Sequence, residues 1–319
     1  MEGPATNPPA RLARLILAAA IGVGVAALVG VWLLIAPKTL PAAELAAPFV
    51  PDLKNGETMF VAGNCSGCHM SPGQGDRSRL GGGRRLSTSF GVFVAPNISS
   101  DPRFGIGTWS EAEFLNAMKR GTGRRGEHLY PAFPYSAYSR MRTADVRDLY
   151  RYMKTLPPVA RPTAAHELRF PFQIRTGVGV WKALYFRPHD FVPDPRRAAS
   201  WNRGAYLAEG AAHCVECHTP RDRLGGPRTG LAYTGAPALE IGDRFASNIT
   251  PHRDGIGDWN QSDIADFLAS GQDKCFNEPT GMSEVIASTR NLSAPDVAAL
   301  AEYIHSLPPR PGNGKHKSC

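Results

Sequence analysis

Cys65-Ser66-Gly67-Cys68-His69 recurs as Cys214-Val215-Glu216-Cys217-His218, and these two runs decide how the rest of the 319-residue chain is read. Each is C-x-x-C-H. Two thiols one helical turn apart, followed at once by an imidazole, match the needs of covalent haem attachment. The thiols form thioethers with the two vinyl groups, and the histidine ligates the iron. Cys65, Cys68, Cys214 and Cys217 are thus the expected thioether positions of two haem c groups, with His69 and His218 as proximal ligands. Other uses of the pattern fit poorly. The knuckles of a zinc ribbon lie about 15–20 residues apart, whereas these motifs are 149 apart and each carries a histidine that a ribbon leaves unexplained. A thioredoxin-type pair belongs on a βαβ pattern that this sequence lacks, and a disulfide between such close cysteines is strained.

The repetition extends well outside the motif. Asn97-Ile98-Ser99 returns as Asn248-Ile249-Thr250, Gly105-Ile106-Gly107-Thr108-Trp109 as Gly255-Ile256-Gly257-Asp258-Trp259, and Leu156-Pro157-Pro158 as Leu307-Pro308-Pro309, at offsets of 150 or 151. An internal duplication of this kind predicts two copies of one module, here residues 50–158 and 201–310. Ser110 with Glu113 forms a capping box opening a helix that carries Phe114 and Met118; its counterpart starts at Asn260 and carries Ile264 and Leu268. A closing helix, capped at Thr143, places Val146, Leu149, Tyr150 and Met153 on one face. The second copy does the same with Val297, Leu300, Ala301 and Ile304. The expected fold is all-α: two tandem cytochrome c-type domains after an N-terminal transmembrane helix.

The sixth iron ligand decides between electron transfer and small-molecule chemistry. Met282 is the only methionine of the second module and stands in a Gly-bearing polar loop, so it is the candidate there. In the first module Met118 and Met153 align with Leu268 and Ile304 and read as core, Met59 aligns with Leu207, and Met70 follows the proximal histidine. Met141 remains, with His128 or an open iron as alternatives. Trp109 and Trp259 either reach a haem propionate through the indole N–H or simply pack. Asn97 and Asn248 either brace the same edge or cap a turn. No catalytic residue is expected.

Leu15 to Ala36 is an uncharged run of 22 residues, about 33 Å of helix against a hydrocarbon core of about 30 Å. Arg11 and Arg14 precede it, which puts residues 1–14 in the cytoplasm, the span at 15–36, a spacer at 37–49, and the haem modules on the periplasmic side of the inner membrane. The alternative is a cleaved signal peptide, with the small residues Ala42–Ala47 as its processing region. The composition, 42% hydrophobic and 20% charged with a mean hydropathy of -0.25, excludes a polytopic membrane protein and a disordered chain.

With these residues in hand, the stretch 50–310 resembles the membrane-associated cytochrome c subunits of periplasmic alcohol and gluconate dehydrogenases. The resemblance rests on Tyr130-Pro131-Ala132-Phe133-Pro134-Tyr135, the Asn-Ile-Ser/Thr and Gly-Ile-Gly-x-Trp pairs, Phe170-Pro171-Phe172, Trp181-Lys182-Ala183-Leu184, and Trp201-Asn202-Arg203-Gly204-Ala205-Tyr206-Leu207 leading to Cys217-His218-Thr219-Pro220-Arg221. It implies an electron-transfer subunit of the respiratory chain. Its donor would be a periplasmic dehydrogenase subunit of flavin, pyrroloquinoline quinone or molybdenum type, and its acceptor membrane quinone, another cytochrome or an oxidase. That family commonly carries three haems and a cleaved signal, whereas this chain has two motifs and an apparent anchor. Two other classes use two c-type haems: a dihaem enzyme of peroxidase or thiosulfate dehydrogenase type, and the cytochrome subunit of a haem-copper oxidase.

Residues 159–200 form the inter-domain linker, which at 42 residues is long for a structureless connection. It either packs between the modules or lies as an interfacial segment on a bilayer or partner. Cys275 and Cys319 fall outside both motifs and either pair or stay apart, the latter in the tail 311–319. The chain carries +8, which by itself would invite nucleic acid. The charge, however, is divided: +6 on 50–158 and +4 on the linker, but -5 on 201–310. No nucleic-acid partner is expected from that pattern; a basic end and an acidic end suit two different protein or membrane contacts.

Overall fold

In a computed structural model, residues 8–237, 245–273 and 281–312 are described. The chain begins with α1 (Pro8–Ile35), followed by the single turn α2 (Ala42–Leu45). The first half then runs through α3 (Leu53–Ala62), α4 (Cys65–His69), α5 (Glu111–Arg120), the turn α6 (Tyr135–Tyr138) and α7 (Thr143–Met153). After α8 (Gly177–Tyr185) the second half contains α9 (Ala199–Glu209), α10 (Cys214–His218), α11 (Gln261–Ser270), α12 (Ser283–Thr289) and α13 (Ala294–His305). The protein is mostly helical, as expected, and a Cys-x-x-Cys-His run forms one short helix in each half.

The same local chemistry starts and stops the equivalent helices. Ser110 and Glu113 close a reciprocal capping box on α5, and Asn260 with Asp263 closes one on α11. Gly121 and Gly271 then end these helices in the left-handed conformation, at φ 59° and 85°, which a residue with a Cβ adopts only at a cost. The closing helices α7 and α13 bury the predicted faces, Val146, Leu149, Tyr150 and Met153 in one, Val297, Leu300, Ala301 and Ile304 in the other. One expectation needs correcting. Thr143 is the first helical residue rather than the cap, and its hydroxyl is hydrogen-bonded to Glu44 of α2.

Each closing helix crosses the helix that leads into its Cys-x-x-Cys-His turn at a glycine. A Cβ on Gly56 of α3 would lie 2.3 Å from the Asp148 carbonyl oxygen of α7, and one on Gly204 of α9 would lie 1.9 Å from that of Ala299 in α13. Only glycine permits that approach. The two halves also share one continuous apolar core, in which Tyr138 and Met141 from the first pack with Tyr206 and Ala211 from the second. Polar pins cross the same boundary: Tyr206 Oη donates to Asp145, and the Arg142 amide donates to Tyr206 Oη at 3.1 Å.

Small sheets depart from the all-α expectation. β1 (Arg85–Thr88), β2 (Gly91–Val94) and β3 (Glu167–Leu168) pair antiparallel in that order, and β4 (Ala236–Pro237) pairs with β5 (Phe245–Ala246). The first hairpin turns over Ser89 and Phe90 into Gly91, φ 121°, and β3 comes from the linker, so the linker completes that sheet. Elsewhere the linker touches both halves: Lys182 Nζ donates to the Arg120 and Gly121 carbonyls, and Tyr185 Oη donates to Asp222 at 2.7 Å.

Within Arg11–Ile35, helix α1 carries an apolar run whose most hydrophobic part has a mean hydropathy of 2.5 and is unburied. Its exit is fixed. The Ile35 carbonyl accepts from His128 Nε2 at 2.7 Å, the Lys38 carbonyl from Thr122 at 2.7 Å, and Leu40 is buried with its amide donating to Asn116.

Candidate haem-attachment sites

Both Cys-x-x-Cys-His turns are built the same way. The residue before the first cysteine, Asn64 or His213, is left-handed at φ 45° and 39°, a conformation in which Asn and His are over-represented among non-glycine residues. That kink turns the chain out of α3 or α9 and straight into the short helix. Cys65 with Cys68, and Cys214 with Cys217, stand one turn apart in the short helices α4 and α10. Burial pushes the Cys65 thiol up to about 12 and the Cys214 thiol up to about 11. Reactive redox thiols are ordinarily held low, whereas burial moves these two the other way.

The histidines are oriented by a backbone carbonyl each. His69 Nδ1 lies 2.8 Å from Pro96 O, and His218 Nδ1 lies 2.7 Å from Ser247 O. A carbonyl can only accept, so the proton sits on Nδ1 and the Nε2 lone pair is left for a metal. Burial lowers the pKa of both rings, which holds them in the neutral, ligating form. In each half the carbonyl of the same histidine accepts from a glycine amide of the following loop, Gly82 at 2.7 Å and Gly235 at 2.8 Å. An oriented imidazole next to two thiols one turn apart fits covalent haem, with the Nδ1–carbonyl bond as the outer-shell contact that sets the ring.

Orphaned donors support the same fit. Tyr135 Oη, Trp181 Nε1 and Arg221 Nε are buried without a partner among the described residues. Arg221 follows the second motif by three residues, and its charge acts on Tyr135. Buried polar groups are ordinarily satisfied, and three such donors suit an anionic group such as a haem carboxylate. Sequence reasoning did not single these three out for that role.

The candidate sixth ligands are placed differently. Met282 is half-buried and caps α12, its carbonyl accepting the Ile286 amide. Met141 is fully buried in the shared core, where a Cβ on Gly210 would lie 3.4 Å from its Cγ, and its carbonyl accepts from Lys119 Nζ at 2.6 Å. The alternative His128 spends Nε2 on the Ile35 carbonyl of α1. Met59, Met118 and Met153 are buried, in line with their assignment to the core. Cys275 lies outside the described residues, as does Cys319.

The paired asparagines are braces. Asn97 Nδ2 donates to the Val159 and Arg161 carbonyls while its Oδ1 accepts from Ser99; Asn248 Nδ2 donates to the Arg310 carbonyl while its Oδ1 accepts from Thr250. These bonds brace the turns: Asn97 Nδ2 donates twice to backbone and Asn248 Nδ2 once. Trp109 packs half-buried on the shared core and its carbonyl accepts from Tyr150 Oη; Trp259 is buried edge-on to Phe267.

The two sites also touch each other. His213 Nε2 lies 3.3 Å from the Gly63 carbonyl, which brings the residue before Cys214 against the residue before Asn64. On the other side, Arg77 pairs with Glu284 at 3.0 Å and donates to Ser288 Oγ at 3.0 Å and Asn64 Oδ1 at 3.1 Å, while Ser288 Oγ donates to Asn64 at 2.7 Å. Thus α12, the helix Met282 caps, is bolted to the entrance of α4. The repeat pattern does not announce these contacts, because they join the start of one half to the end of the other.

A cytochrome c family model matches residues 53–157. The chain is 39% identical over 287 residues to a dihaem cytochrome c-type protein of Cereibacter sphaeroides, covering 89% of this chain and 95% of that one. It is 35% identical to the cytochrome subunit of fructose dehydrogenase from Gluconobacter japonicus, over 83% of this chain but 54% of the relative. It is also 36% identical to the cytochrome c subunit of the quinone alcohol dehydrogenase of Gluconacetobacter polyoxogenes, over 81% and 56%. The chain therefore spans nearly all of the first relative and little more than half of the dehydrogenase subunits.

Proposed function

Because this chain belongs to the dihaem cytochrome c-type family, whose chemistry is electron transfer through covalent haem c, we propose that it is a membrane-anchored electron carrier serving a periplasmic dehydrogenase. Residues 50–158 and 201–310 act as two tandem cytochrome c domains. Cys65 and Cys68 hold one haem, Cys214 and Cys217 the other, with His69 and His218 as proximal ligands and Met141 and Met282 as the distal ones. When bound, each haem supplies one reversible single-electron step of its iron. The residues do the rest: Pro96 and Ser247 carbonyls fix the imidazoles, and the buried donors of Tyr135, Trp181 and Arg221 would be available to a haem carboxylate.

The observation that carries this reading is the twice-built turn, with paired thiols and an imidazole whose Nδ1 proton is fixed by a carbonyl. Contact between the turns through His213 and Gly63 supports electron passage within the chain. The dehydrogenase assignment draws on the relatives, several of which are cytochrome subunits of such complexes. Helix α1 holds the haem domains on the periplasmic face of the inner membrane, close to quinone or a further cytochrome. Affinity purification from solubilised membranes tests this. A dehydrogenase subunit should co-purify and reduce both haems when given its substrate. Recovery of a haem-copper oxidase instead, or peroxide turnover by the isolated chain, would replace the proposal.

A further inference from the structure

The linker carries an apolar face that the proposed function leaves without a role. Helix α8 turns Val178, Gly179 and Lys182 inward, while Val180 and Leu184, one turn apart, point outward. Just before it, Phe170 is 77% exposed, and Phe172 and Ile174 are exposed too; Leu184 is 55% exposed. Residues 168–189 contain four basic side chains and no acidic one, and Arg169 and Arg187 are exposed at its two ends.

The place of this strip is set by the anchor. Gly179 sits so close to the end of α1 that a Cβ there would be 2.3 Å from the Ile35 carbonyl oxygen. Ile35 is the last residue of the apolar stretch, so a helix packed on it lies at the depth where α1 leaves the hydrocarbon. An exposed apolar strip with cationic flanks at that depth has the make-up of an interfacial segment, burying its apolar side at the headgroup boundary while its basic ends meet anionic lipid. We infer that residues 170–186 are a second membrane contact, seated in the outer headgroup region of an anionic bilayer. They add a second point of membrane contact beside the fixed exit of α1. The inference rests on α1 being a membrane span.

The test uses the full-length haem-loaded protein, reconstituted alone into vesicles of anionic phospholipid that carry a photoactivatable diazirine near the glycerol backbone. Mass spectrometry then maps the adducts. Labelling of both α1 and the 170–186 peptide is expected, with Ile174→Asp and Leu184→Asp lowering the second several-fold and leaving the first unchanged. Adducts on α1 alone overturn the inference while sparing the anchor. Absence of adducts on either overturns the anchor as well. Cross-links between copies at 170–186 formed by a bifunctional amine-reactive reagent through Lys182, with no lipid adducts there, assign the strip to self-association and overturn the lipid contact.

Discussion

Replacing Arg77 with Met removes a guanidinium and keeps most of the stem volume, and it acts where the two haem sites are joined. Three contacts are lost: the ion pair to Glu284 and the hydrogen bonds to Ser288 and Asn64. Both members of the ion pair are about a third exposed, at 31% and 39%, so solvent screening keeps it to about 0.5 kcal/mol. The two charge-assisted bonds add roughly 1 kcal/mol net between them, because Ser288 and Asn64 still satisfy each other. The expected loss is therefore about 1–2 kcal/mol, read as a lower urea midpoint with an unchanged slope.

The position of the network makes a second readout sharper. Arg77 fixes α12 directly after Met282, so its loss should loosen the distal side of the second haem. Imidazole binding to the ferric protein should become faster at one haem of the two. A double-mutant cycle with Ser288→Ala should return a coupling of about 0.5–1 kcal/mol. Unchanged stability, zero coupling and unaltered imidazole kinetics together would refute the claim that this bridge ties one site to the other.

Cys65→Ala with Cys68→Ala should halve the covalent haem per chain, measured as pyridine haemochrome against protein. Met282→Ala should convert one ferric iron from low-spin to high-spin in the electronic and paramagnetic resonance spectra and leave the other as it was. Gly204→Ala places a methyl against the Ala299 carbonyl of α13 and should cost about 1–3 kcal/mol, seen as a drop in the thermal midpoint. The pKa of His128 is lowered by burial and by the charges of Lys182 and Arg175. Its unfolded counterpart therefore takes up a proton first as pH falls below about 6.5. Stability should decline from there toward the lowered folded value, and His128→Gln should gain on the parent over that window in pH-resolved thermal melts.

Local chemistry was legible in the sequence wherever it was written twice. The capping boxes at Ser110 and Asn260, the closing faces ending in Met153 and Ile304, and the Cys-x-x-Cys-His turns all follow from short-range spacing, and each recurs at a near-constant offset. What depends on long-range contact was not legible. β3 forms because residues far along the linker return to Gly91 and Val92, a pairing that a two-residue strand does not advertise. Thr143 lost its capping role to a tertiary partner, Glu44. The Arg77 bridge and the seat of Ile35 on Gly179 join segments with no repeat relation. For Asn97 and Asn248 the residue type admits both a propionate contact and a turn brace, and the hydrogen bonds that reveal the brace run to Val159, Arg161 and Arg310, far along the chain.

Both ferric irons should be six-coordinate if the protein is an electron carrier rather than an enzyme. Paramagnetic resonance of the purified full-length protein, scaled to its haem and protein content, measures this directly. Two low-spin c-type haems per chain, with no high-spin signal at neutral pH, are the predicted result. A single haem per chain, or one stoichiometric high-spin iron, would contradict it.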